Sequence, residues 1–178
     1  MRLTKLLVFS LFLTGLFALI VAGAETPSGN KSPEPDKKNT TITWHAYDVA
    51  LKKAAEEDKH IFVDFTAKWC GYCRKMDREV FTDQRIIDML NDDFVSAKVD
   101  GDSRNELDID GYKITESDLA RREYGVRGFP TFWFLKSDGT RLGPLGGYRP
   151  TDVMLEALTW IKERQYDSTT TENEPEKK

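Results

Sequence analysis

The two cysteines of this 178-residue chain stand two residues apart in Trp69-Cys70-Gly71-Tyr72-Cys73, directly after the short apolar run Ile61 to Phe65. A C-x-x-C pair at the start of a helix is the smallest device that can cycle between dithiol and disulfide. Unpaired backbone N–H groups and the positive end of the peptide dipoles gather at a helix start, so a thiolate there is stabilised. Cys70 is therefore the expected nucleophile. The spacing puts Cys73 one helical turn below it on the same face, placed to attack a mixed disulfide and release the substrate.

Three other uses of the pair compete with this one. A structural zinc site normally takes four ligands, and beyond the cysteines only His45 and His60 are available, at no recognised finger spacing. A purely structural disulfide across so short a loop would constrain little of the unfolded chain. Inert buried thiols fit poorly with Lys68, Arg74 and Lys75, which make the neighbourhood electropositive.

The ends of the chain frame this centre. Arg2 and Lys5 precede an uncharged run from Leu6 to Val21, and Ala22-Gly23-Ala24 offers a small-x-small cleavage site. Residues 1–24 read as a signal peptide, or alternatively as an uncleaved membrane anchor, and place the working protein in the periplasm or otherwise outside the cytoplasm. Residues 25–41 read as a flexible polar leader and residues 167–178 as a disordered tail. About 125 residues between them, 42–166, suffice for one domain. Loss of residues 1–24 removes Arg2 and Lys5 and no acid, taking the formal charge from −4 to −6. Such a chain, with no basic cluster, gives no electrostatic case for nucleic acid.

Tyr47, Ala50, Leu51 and Ala54 recur at helical spacing and predict an amphipathic helix over 46–58. Ile61 to Phe65 reads as a buried strand, with Met76, Val80 and Phe81 continuing a helical face after the cysteines. Thr82 or Asp83 caps a second segment bearing Ile86, Ile87, Met89 and Leu90, and Phe94 to Asp100 is strand-like. Ser103 to Lys113, with many acids and a lone Ile109, reads as a surface loop, either an element of partner choice or a neutral insertion. Thr115 to Asp118 suggests a capping box for a helix through Tyr124, with Gly125 as its stop. Thr131–Leu135 and Thr140–Leu142 flank a turn as an antiparallel hairpin, and Thr151 caps a last helix facing inward through Val153, Leu158 and Ile161. The sum is an α/β fold, a mixed central sheet with helices on both faces.

The stretch Phe62-Val63-Asp64-Phe65-Thr66-Ala67-Lys68-Trp69-Cys70-Gly71-Tyr72-Cys73, with Ala97-Lys98-Val99-Asp100 and Tyr124-Gly125-Val126-Arg127-Gly128-Phe129-Pro130-Thr131, resembles the thioredoxin family. The likeness is closest in style to exported thioredoxin-like proteins and to the C-terminal domain of the membrane disulfide reductase. It implies a thioredoxin fold and a redox-active Cys70–Cys73 disulfide. It also implies a cis Pro130 that presents the backbone of Phe129 to a substrate strand. Asp64, an acid in an otherwise apolar strand whose pKa should rise, matches the family's proton-exchanging carboxylate beneath the second cysteine, and Lys98 matches the lysine beside it. Trp69, Gly71 and Tyr72 would form the docking surface around the thiols. Phe132, Trp133 and Phe134 read as packing residues, and neither histidine shows a partner in the sequence.

Gly-Tyr between the cysteines departs from thioredoxin's Gly-Pro and is the pair of periplasmic disulfide isomerases, so the likeness leaves the direction of electron flow open. The activity it implies is an extracytoplasmic protein-disulfide oxidoreductase working chiefly as a reductant. Its partners would be disulfide-bonded protein substrates and a membrane thiol transporter as electron donor, and no cofactor is implied. An oxidase or isomerase using the same residues, and a non-catalytic binding module, are the alternatives.

Overall fold

The computed structural model describes residues 39–168, so the signal or anchor over 1–24, most of the leader and most of the tail lie outside the described residues. Short β1 (Trp44–His45) leads into α1 (Tyr47–Glu57), followed by β2 (His60–Thr66), α2 (Gly71–Glu79), α3 (Gln84–Asp92) and β3 (Phe94–Asp100). Next come a small hairpin, β4 (Glu106–Ile109) and β5 (Tyr112–Thr115), and the helical turn α4 (Glu116–Asp118), which runs into a π-helical segment, Leu119–Glu123. The hairpin β6 (Thr131–Leu135) and β7 (Arg141–Gly146), then α5 (Thr151–Lys162) and the turn α6 (Gln165–Ser168), complete the order.

Five strands form one sheet in the order β1-β3-β2-β6-β7, with β2 parallel to β3 and antiparallel to β6. Because β2 is central and covered on both faces, it reads as a nearly unbroken apolar run. Its alternation divides the core. Ile61, Val63 and Phe65 join the side chains of α1 and the 107–126 region, while Phe62 joins those of α2, α3 and α5. Phe62 and Phe132 stack at 5.6 Å between ring centroids, both fully buried. Each such ring contributes about 1.5–3 kcal/mol by leaving water. Ala50 and Ala54 have no exposed surface, and their small size lets α1 lie close against the sheet.

Several expectations are met by these elements and several are corrected. Asp83 caps α3, its carboxylate accepting from the Arg85 amide at 2.9 Å. The segment 103–113 is not a simple loop. Leu107 and Ile114, register partners on β4 and β5, turn inward and are buried in the α1-side core, which gives the insertion an apolar anchor. The helix through Tyr124 widens: the Tyr124 amide donates to the Leu119 carbonyl, five residues back, bringing Leu119, Ala120 and Tyr124 to the same core. Thr151 is the first residue of α5 rather than its cap, a place taken by Pro150, and Val153 is exposed while Met154 points inward. A strand before α1 is absent from the sequence reading, because two residues carry too little periodicity to show. The last residues of the presumed leader are tied to the domain: Gln84 and Asn91 side chains donate to the carbonyls of Asn39 and Thr41.

Candidate active site

Strand β2 delivers the chain to the cysteines. Cys70 is the N-cap of α2, and its Sγ accepts from the Cys73 amide at 3.0 Å, so one of the helix's unpaired N–H groups is aimed at that sulfur. The two sulfurs are joined as a disulfide, and both cysteines are almost fully buried together with Ala67 and the ring of Phe129. The Phe129–Pro130 peptide bond is cis. Close approach of that loop depends on Gly101, since a Cβ there would lie 2.2 Å from a ring carbon of Phe129.

Asp64 lies on the same side of β2 as Phe62, toward α2, and pairs in register with Lys98 on β3. It is 2% exposed, and one carboxylate oxygen has no hydrogen-bond partner. Burial pushes its pKa up from 3.8 to about 6, an effect opposed by Lys98 and aided by Asp77. The Lys98 ammonium sits 3.4 Å from Asp64 and 2.6 Å from Asp77, and also lies over the Trp44 ring at 4.8 Å. Burial opposes the charge on Lys98, but the two carboxylates outweigh it and hold the group above the ordinary lysine value. Asp77 stands four residues after Cys73 on α2, one helical turn on, so the Asp64–Lys98–Asp77 bridge spans from β2 to the face of the helix that carries the second cysteine.

The rim is aromatic. Trp69 is 67% and Tyr72 63% exposed, in contrast to the buried cysteines they flank. The Trp69 indole donates to Asp102, whose other oxygen accepts from Arg121 at 2.6 Å, and its ring meets Phe129 edge-on at 5.9 Å. Tyr72 faces Tyr148 at 6.4 Å, and the Tyr148 hydroxyl donates to Glu79 at 3.0 Å.

All the residues singled out in the sequence, Asp64, Trp69, Cys70, Gly71, Tyr72, Cys73, Lys98, Phe129 and Pro130, thus fall on β2, the start of α2, β3 and the loop before β6. Sequence reasoning missed Asp77, Gly101, Asp102, Arg121 and Tyr148. Helical spacing from Cys73 could have pointed to Asp77; the partner of Trp69 lies 33 residues away and left no local signal. His60 does have a partner, the Tyr166 hydroxyl at 2.7 Å, far from the disulfide in the sequence and at the opposite end of β2. Phe132 and Phe134 are core residues and Trp133 packs against the other cluster, as packing residues should. Among the described residues no group of three or more His, Cys, Asp or Glu side chains is placed to hold a metal ion. None of the described helices is long and apolar enough to cross a membrane.

Known proteins resemble this chain in sequence and fold. The model of the thioredoxin-like domain matches residues 47–162. A protein disulfide-isomerase of Oryctolagus cuniculus is 32% identical over 138 residues, covering 76% of this chain and 23% of the relative. The thiol:disulfide interchange protein DsbD of Neisseria meningitidis is 32% identical over 128 residues, covering 71% of this chain and 19% of the relative. The chain thus spans about a quarter or less of the length of these two curated relatives. Among solved structures, a thioredoxin from Thermus thermophilus superposes with a TM-score of 0.57 at 31% identity, over 68% of this chain and 87% of that one. With the family's domain matching residues 47–162, most of the core, and the cysteines at the start of α2, the chain belongs to the thioredoxin-like domain family.

Proposed function

We propose that the protein is a thiol:disulfide oxidoreductase that works outside the cytoplasm, chiefly as a reductant of protein disulfides. The observation that carries the reading is the disulfide itself: two sulfurs joined at the N-cap of α2, packed against Phe129 and lying on the same side of the sheet as a buried acid. In the dithiol form, the Cys70 thiolate attacks one sulfur of a substrate disulfide. A Cys70–substrate bond forms and the substrate's other sulfur leaves as a thiolate. Cys73 then attacks Cys70, restoring the Cys70–Cys73 bond and expelling the second substrate thiol, so two electrons pass to the substrate. Asp64 is the group suited to take the Cys73 proton, because burial holds its pKa near neutrality. Lys98 keeps that carboxylate from being stranded, and Trp69, Gly71, Tyr72, Phe129 and Pro130 present the docking surface.

A membrane thiol transporter would return electrons to the disulfide, and the charged-then-apolar opening of the chain supports placement beyond the cytoplasm. One feature favours a second reading, an isomerase or oxidase: Gly71-Tyr72 between the cysteines, together with similarity to proteins named disulfide isomerases. The reduction potential separates the two. A value near that of thioredoxin, about −270 mV, supports the reductase, and one approaching about −120 mV overturns it. Cys73→Ser, which leaves the mixed disulfide unresolved, identifies the substrates by trapping them covalently.

A further inference from the structure

The carboxylates and cations around the disulfide are unevenly matched. Asp77 is engaged by Lys98, Asp102 by Arg121 and Trp69, and Glu79 by Lys75 and Tyr148. Asp100 turns its carboxylate back onto its own loop, accepting from the Asp102 amide. Four cations on the same rim meet no carboxylate among the described residues. Lys68 precedes Trp69 and is exposed; Arg74 starts the second turn after Cys70 and donates only to the Lys68 carbonyl, at 2.8 Å; Arg127 is exposed two residues before Phe129. The fourth, Arg149, has the most specific setting.

Arg149 is held beside the redox centre by its backbone. Its amide donates to the sulfur of Met76, one helical turn from Cys73, and the preceding Gly147 amide donates to the carbonyl of Pro130 at 2.8 Å. Its neighbour Tyr148 faces Tyr72, one of the two residues between the cysteines. Of its guanidinium nitrogens, one donates to the Gly146 carbonyl at 2.6 Å, while Nε is buried with no partner at all. Nε is closed off from solvent and cannot itself receive a ligand, but Nη1 has no partner among the described residues and stays open to solvent, so the outer end of the guanidinium is the part that can meet a carboxylate. The contrast with the chain's net charge of −4 sharpens the point: positive charge is concentrated where a substrate must dock.

We infer that this rim selects substrates, with Arg149 receiving a carboxylate from an acidic segment beside the substrate's reactive cysteine and Lys68, Arg74 and Arg127 drawing that segment in. Tyr72 and Tyr148 form the wall against which it lies. The inference rests on the oxidoreductase reading for its substrate and adds the class: disulfide-bonded proteins with acidic flanks.

The test uses two disulfide-bonded peptides identical except for glutamates or lysines flanking the cysteines. Single-turnover reduction by the pre-reduced protein is compared for wild type, Arg149→Glu and Lys68→Glu. Wild type should reduce the acidic peptide faster by about five-fold for each charge pair formed, a preference that collapses in about 0.5 M salt. Arg149→Glu should lower the ratio of the two rates more than Lys68→Glu does, an outcome a merely structural role would not produce. Equal rates for the two peptides in wild type, or a ratio in both variants unchanged from wild type, overturns the inference. Binding of the serine-for-cysteine peptides to the oxidised protein, followed by tryptophan fluorescence, separates this from the parent reading. Preferential binding of the acidic peptide without reduction of either leaves the surface standing and sinks the oxidoreductase. Reduction of both with equal rates and equal binding does the reverse.

Discussion

Asp64→Asn should make the protein more stable and a worse reductant at the same time. Asp64 is almost completely buried, and its pKa rises from 3.8 to about 6 because desolvation outweighs the attraction of Lys98. Between those two values the folded state holds a proton that the unfolded chain has released, so unfolding free energy falls as pH rises through the window. Above about pH 6 the full cost of the buried charge is present. At about 1.4 kcal/mol per pH unit it amounts to about 3 kcal/mol, with the help from Lys98 already counted. Asparagine keeps the shape and never ionises. The variant should therefore match wild type near pH 3.5 and exceed it by about 3 kcal/mol at pH 7 and above, or about 10 °C in Tm for a domain of this size.

Urea titrations of both proteins at half-unit steps from pH 3.5 to 8 measure the difference directly. In parallel, insulin reduction at pH 7 should fall by about a hundred-fold, the usual worth of a positioned general base. A stability difference that does not change with pH refutes the claim that Asp64 titrates against burial. A stabilised variant with undiminished turnover refutes its role in moving the Cys73 proton while leaving the electrostatics intact.

Leu107→Ala should cost about 2–4 kcal/mol in urea unfolding, because the side chain is buried in the α1-side core; a loss under about 0.5 kcal/mol would return 103–113 to the status of a surface loop. His60→Gln tests the far end of β2. Burial first, and then the nearby Arg164, lower the His60 pKa, so as pH falls below about 6.5 the unfolded chain takes up a proton that the fold resists, and stability is lost. The variant should lack that acid-side loss, and the two proteins should have parallel pH dependence only above about pH 7.

How far the sequence revealed this molecule depends on how local each signal is. The C-x-x-C pair, β2, α3 with its Asp83 cap and the β6–β7 hairpin are written in contiguous residues whose spacing shows directly in their burial. The 103–113 insertion misled because its acids dominate the composition, while the two residues that fold it inward, Leu107 and Ile114, lie seven apart and meet only once the hairpin closes. Val153 and Met154 were exchanged for a similar reason. With Pro150 taking the cap, α5 starts at Thr151, and the inward face falls on Met154, Leu158 and Ile161, at i, i+4 and i+7. At the site, the residues on β2 and the first turn of α2 were legible, whereas Asp77 one turn further on and those contributed by distant segments, Asp102, Arg121 and Tyr148, were not. Their roles arise from tertiary approach alone.

The two buried titratable groups of β2 act on stability with opposite signs over overlapping pH ranges. As pH falls from neutrality, His60 begins to withdraw stability just as Asp64 begins to restore it. Wild type should therefore show a shallower pH profile below neutrality than either single variant. A shallow curve in the parent protein is then no argument against either one. The decisive comparison is the double variant Asp64→Asn/His60→Gln. His60 opens β2 and Asp64 lies four residues further along it, about 13 Å away at the rise of an extended chain, and the two share no partner, so their effects should add within about 0.5 kcal/mol. With both titrations removed, stability above about pH 6 should exceed that of wild type and should no longer depend on either group. The two single variants should tilt the profile in opposite directions, which is a pattern that compensation predicts and that two unperturbed groups could not produce.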